Sequence, residues 1–205
     1  METAGDAELT HGIGPTTGDM ALFAAYQNSE RPSVVQAGLP EPYFGVLREG
    51  HPYSVNNRRI PESAAVIWLY YLYDHAPGPT RTPHHWLGVK VTRSSGTIEV
   101  LDPTSQLNGH DTPIQSITAA MRRSSTLAPL ATGQVTWVGE HYHADIWQSG
   151  YGCLSWASEG GIGRHPSVSR GVPGESVTEA CRQWWLLVGQ TVAVDDESYA
   201  IFTSG

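Results

Sequence analysis

Cys153 is the residue whose neighbours best suit it to covalent chemistry. It stands in Trp147-Gln148-Ser149-Gly150-Tyr151-Gly152-Cys153-Leu154-Ser155-Trp156, where a glycine-punctuated stretch leads into a run of helical character. The thiolate is the nucleophilic form of cysteine, and a helix N-terminus favours it with unpaired N–H donors and the positive end of the helix dipole. The spacing predicts a tight turn through Gly150 and Gly152, with the helix opening at Cys153. A nucleophilic thiol also needs a base, a group that orients the base, and donors for the oxyanion. Upstream, His84 and His85 are candidates for the base and Asp102 for the orienting acid. The second cysteine, Cys181, lies in Ala180-Cys181-Arg182-Gln183-Trp184-Trp185, a helical pattern with no base implied nearby, and reads as a packing thiol.

These groups need elements that bring them together. Pro83-His84-His85-Trp86-Leu87-Gly88-Val89-Lys90-Val91 passes from a loop into an alternating apolar run, and Thr97-Ile98-Glu99-Val100-Leu101-Asp102 is a second such run after the turn signal Ser94-Ser95-Gly96. Paired as a hairpin, the start of the first lies beside the end of the second, so His85 and Asp102 become neighbours. Adjacent strand residues face opposite ways, so only one of His84 and His85 looks toward Cys153. Asp102 precedes a proline and serves equally as a turn opener.

Around this hairpin, residues 64–73 form a dense apolar and aromatic run that reads as a buried strand, and residues 43–47 and 134–139 suggest two more. A helix is expected over residues 20–26, capped by Thr17. Another should start at Thr112-Pro113-Ile114-Gln115 and run to about Arg123. A third should follow the Ser176 to Glu179 capping box, over residues 180–192. Strands and helices without strict alternation point to an α+β domain spanning residues 1–205, with residues 1–15 as a loose arm.

The ordered set of His-Trp, then Asp after one hairpin, then Gln shortly before Cys resembles the cysteine proteases of the Ulp/SENP and adenovirus-protease superfamily, clan CE. The resemblance covers about residues 64 to 160. It implies a central mixed β-sheet flanked by helices, in the papain-like, adenovirus-protease-type architecture. The base falls on His85, which precedes Trp86, the orienting acid on Asp102, the oxyanion-hole donor on Gln148 and the nucleophile on Cys153. The order differs from that of papain, where cysteine precedes histidine. Family members usually read Gln-x-Asn-Gly-x-Asp-Cys-Gly; this chain has Gly152 before its cysteine and Leu154 after it. The Gln148 amide and the Cys153 backbone N–H would bind the oxygen that becomes negative as the thiolate attacks a carbonyl. Cleavage after small residues such as Gly is implied, with Trp86 and Trp147 as walls of a narrow substrate cleft. The substrate would be a protein, either a viral-type polyprotein or a ubiquitin-like conjugate, and no cofactor is implied.

Composition narrows the alternatives. With 40% hydrophobic and 16% charged residues in 205, plus seven tryptophans and nine tyrosines, the chain can bury a substantial core. A net charge of −8 gives no electrostatic footprint for nucleic acid or an anionic membrane. The two cysteines and the lack of a secretory pattern suggest an intracellular setting, in the cytoplasm or nucleus, a host cell's included. Two rival readings stand beside the thiol protease. His141, His143 and Asp145 alternate as three metal-capable side chains would on one strand face, the donor set of a zinc hydrolase. The same fold without catalysis would serve as a binding or structural module in a viral or mobile-element particle.

Overall fold

The computed structural model describes residues 14–29, 35, 38–48, 60–73, 84–104, 107, 111–138, 145–159 and 183–187. Among them, β1 (Pro42–Arg48), β2 (Val66–Tyr73), β3 (His85–Thr92), β4 (Thr97–Leu101) and β5 (Val135–Val138) form one sheet in that spatial order. The β1–β2 and β4–β5 pairs are parallel, while β2–β3 and β3–β4 are antiparallel, so the sheet is mixed. Helices α1 (Thr17–Ser29), α2 (Asp111–Arg123) and α3 (Ser149–Glu159) complete the α+β arrangement, with 3-10 turns at Ala128–Leu130 and Ile146–Gln148. No helix among the described residues is long and apolar enough to cross a membrane.

Period-two alternation sorts the core into two layers. Trp68, Tyr70 and Leu72 of β2 pack with Met20 and Phe23 of α1 and with Leu154 and Ala157 of α3. Ile67, Leu69 and Tyr71 meet Ile117, Ala120 and Met121 of α2 on the other side. Coverage of both faces explains why β2 reads as a continuous apolar run. The middle of the sheet is β3, the strand that begins at His85.

Helix α1 is longer than its apolar stretch suggests, and its cap is Thr16 rather than Thr17. The Asp19 N–H donates to Thr16 Oγ1 at 3.3 Å and the Thr16 N–H donates to the Asp19 carboxylate at 2.7 Å, a reciprocal box in which Asp takes the place of Glu. Near its other end, the Asn28 carboxamide takes both the N–H and the C=O of Phe44, closing the outer edge of β1 at that residue. Helix α2 begins at Asp111, one residue before the expected Thr112 cap. Gly14 and Pro15, read from sequence as the end of a loose arm, are buried, and the Pro15 carbonyl accepts the Trp86 indole N–H at 2.9 Å. The rest of the arm, most of the helix expected over residues 180–192, and Cys181 lie outside the described residues; residues 183–187 are helical.

The glycines before Cys153 have a different purpose from the one expected. Helix α3 begins at Ser149, so Gly150 and Gly152 lie inside it, and neither adopts a positive φ. They are there for clearance. A Cβ at Gly150 would stand 2.5 Å from Pro15 Cγ, and one at Gly152 2.5 Å from Pro103 Cβ. A proline ring is tied to its own backbone and cannot swing aside, so Gly152→Ala should lower stability by about 1–3 kcal/mol through overpacking. A fall in the urea midpoint at unchanged m-value would register it, and an unchanged midpoint would mean that α3 and the Pro103 turn separate freely.

Candidate active site

The hairpin brings His85 and Asp102 together. Gly88 faces Leu101 and Thr92 faces Thr97, a register that returns the end of β4 to the start of β3. His85 Nε2 lies 2.9 Å from Asp102 Oδ1, with the imidazole slightly exposed and the carboxylate buried. Thr104 completes the arrangement, donating to the same Oδ1 through its N–H at 2.9 Å and its hydroxyl at 2.8 Å. Asp102 is therefore both the turn opener and the partner of the histidine. Burial alone would raise its carboxyl pKa, but the His85 hydrogen bond and charge and the two Thr104 bonds outweigh this and hold it below the usual range. An ionised carboxylate only accepts, so Nε2 is the nitrogen that donates to Asp102. Tyr73 meets the imidazole edge-on, with ring centroids 6.1 Å apart, and steadies it from β2.

Cys153 lies over the same strand, one turn inside α3 instead of at its first residue. Its thiol donates to the Trp86 carbonyl at 3.6 Å and is fully buried. Among the described residues, the hydrogen-bond partners of the imidazole are Asp102 and Thr104, so in this state sulfur and imidazole are not bonded to each other. Burial pushes the thiol pKa well up, and the Asp102 charge pushes it further. The resting sulfur is a neutral thiol. Because α3 starts at Ser149, the Cys153 N–H falls beyond the first four orphan donors of the helix.

Gln148 ends the 3-10 turn directly before α3 and is buried. Its Oε1 accepts the Asp145 N–H at 3.0 Å, so the NH2 is the end of the amide left to donate. Trp147 is partly buried beside it. Trp86 is not a cleft wall: it is wholly buried in the layer under α1 and α3, with its indole N–H held by Pro15. His141 and His143 lie outside the described residues, and with them the zinc set; Asp145 caps the Ile146–Gln148 turn. Two residues escaped the sequence reading. Thr104 was signalled by Asp102-Pro103-Thr104, in which the aspartate side chain can bond the N–H two residues on. Ser149, whose hydroxyl accepts the Trp86 N–H at 2.9 Å, had no local signal.

No protein-family model matches the chain, and no curated protein matches it in sequence. Solved structures do. The SUMO protease Ulp1 with its catalytic cysteine oxidised to a sulfenic acid matches with a TM-score of 0.57 at 8% identity, covering 90% of this chain and 82% of that one. The C-terminal Ulp1 protease domain in complex with Smt3, the yeast ortholog of SUMO, matches with a TM-score of 0.55 at 9% identity, covering 90% and 81%. The fold is that of the clan CE cysteine proteases. At such identity the likeness is one of architecture, the mixed five-stranded sheet with its helices.

Two measurements test this electrostatic picture. Iodoacetamide alkylation of Cys153, followed by intact mass, should be slow near neutral pH and still rising above the ordinary cysteine range; a plateau below pH 7 would mean a preformed thiolate–imidazolium pair. For Asp102 the folded pKa is the depressed one, so its stabilising contribution is present above the unfolded carboxyl pKa and is lost as pH falls through the folded value. Asp102→Asn should therefore flatten the acid limb of the stability curve below about pH 4, where an unchanged limb would contradict the depressed carboxyl.

Proposed function

We propose that this chain is a cysteine peptidase or isopeptidase that cleaves after small, Gly-type residues by acyl transfer. The observation that carries the proposal is the His85–Asp102 bond of 2.9 Å, which commits Nε2 and leaves Nδ1 as a base on the strand that α3 and Cys153 cover. In this mechanism the Cys153 thiol turns from the Trp86 carbonyl to His85 and gives its proton to Nδ1. The thiolate attacks the scissile carbonyl, and the NH2 of Gln148 stabilises the oxyanion. The imidazolium, held by Asp102, protonates the leaving amine. Water then attacks the thioester with His85 again as base, releasing the acid and restoring the thiol.

Protein substrates fit this chemistry. The Ulp1 neighbour in complex with Smt3 supports a ubiquitin-like partner, and a polyprotein junction is the alternative. Trp147, partly exposed beside Gln148, is the aromatic side chain left to flank a narrow cleft. A second reading has one specific observation in its favour: the sealed thiol, bonded to a backbone carbonyl, suits a protease fold retained as a binding module.

An electrophilic Gly-Gly probe followed by intact-mass measurement separates the two. One adduct on the native chain and none on Cys153→Ala supports the peptidase. Labelling that persists in the variant or maps to Cys181 overturns the nucleophile assignment, and a stable, unlabelled native chain favours the binding module. Given activity, Gln148→Ala should lower kcat by about 10²- to 10³-fold.

A further inference from the structure

Helix α3 takes over the edge of β3 where β4 leaves it. The Thr92 carbonyl accepts the Gly96 N–H within the hairpin turn, so by strand alternation the backbone groups of Lys90, Gly88 and Trp86 also point toward β4. Pairing ends at Gly88 opposite Leu101. Two residues further in register, the position facing Trp86 belongs to Pro103, which has no N–H for the Trp86 C=O; with the ladder ended, an unpaired Trp86 N–H and C=O would be costly at full burial. Both are satisfied by α3. Ser149 Oγ accepts the Trp86 N–H at 2.9 Å, and the Cys153 thiol donates to the Trp86 carbonyl at 3.6 Å. Residues four apart stand above one another on a helix face, so the two side chains bracket one strand residue, the one next to His85. Ser149 is itself fixed: it is fully buried and its own hydroxyl hydrogen goes to the Ile146 carbonyl at 2.7 Å.

These two bonds respond differently to the reaction. When the S–H bond breaks and its proton goes to His85 Nδ1, the sulfur has nothing left to donate, and its negative charge is repelled by the carbonyl oxygen. The Ser149 bond involves no titrating group and survives. We infer that Ser149 is a positioning residue: it keeps the first turn of α3 seated against the start of β3, and so Cys153 within reach of His85, while the thiol bond to Trp86 is broken. This role rests on the reading of Cys153 as nucleophile and His85 as base.

The test uses the full chain and Ser149→Ala, with two readouts. The Trp86 amide, followed by hydrogen exchange, should exchange at least tenfold faster in the variant while the Gly88 amide stays protected by β4. For catalysis, kcat per site titrated by the Gly-Gly probe should fall at least tenfold with KM within twofold. Titration discounts misfolded molecules, so a variant that merely folds less well would lose sites and keep its turnover per site. Unchanged Trp86 exchange, or faster exchange with turnover per site within twofold, overturns the inference. A native chain that the probe fails to label removes the nucleophile reading itself, and this role with it, whatever the exchange result for Trp86.

Discussion

A proline without an N–H sets the geometry of the site. Pro103 follows Asp102 and has no N–H to give the Trp86 carbonyl, and the ladder ends at Gly88 opposite Leu101, so the sheet opens on this side of β3 just short of His85. Asp102, at the point of departure, turns its carboxylate back over the strand end to meet the imidazole, and Thr104 ties down the turn. The opened edge admits the start of α3, whose serine and cysteine complete what the ladder lacks. The end of that ladder thus accompanies the gathering of His85, Asp102 and Cys153 within a few residues of one strand end.

Close approach is the second requirement. A helix can enter such a gap only if its backbone comes nearly into contact with what flanks it, and Gly150 and Gly152 remove the side chains that would meet Pro15 and Pro103. On the sheet side, a Cβ at Gly88 would stand 2.7 Å from the Trp156 ring and 3.7 Å from the Cys153 sulfur. Three glycines and two prolines therefore set how closely α3 approaches what flanks it. The same tightness excludes water from the thiol, which raises its pKa.

What the sequence disclosed, and what it hid, follow one physical division. The sheet was legible because strand periodicity and turn chemistry are local: residues 43–47, 64–73 and 134–139 fall on β1, β2 and β5, and the Ser94-Ser95-Gly96 turn, with Gly96 at φ 66, sets the register that joins His85 to Asp102. Readings that depend on neighbours distant in sequence fared differently. Gly150 and Gly152 carry the same letters whether they make a turn or clear a path for a proline. Trp86 carries the same letter as a cleft wall or as a core side chain, and only the Pro15 segment arriving over it decides for the core. Ser149 has no meaning until the β4 ladder has ended and left the Trp86 N–H for its hydroxyl to accept.

The separation of thiol and imidazole in the resting state poses an energetic question, and the local charges answer most of it. Breaking an S–H bond to a carbonyl gives up little, since a typical protein hydrogen bond contributes only about 1 kcal/mol net and a thiol is a weak donor. Burial is the larger opposing effect, because a buried thiolate loses its hydration and also faces the Asp102 charge. In the proposed mechanism ionisation is a paired event, in which His85 would gain the proton that Cys153 loses and a positive ring would offset two negative groups. On that proposal the depressed carboxyl of Asp102 would do more than hold the ring: being ionised before the transfer, it would stabilise the imidazolium as it forms. The carboxylate that opposes a lone thiolate is the same one that favours the pair. The net effect thus depends on whether the imidazole stands between them, which is the geometry that β3, the Pro103 turn and the first turn of α3 jointly control.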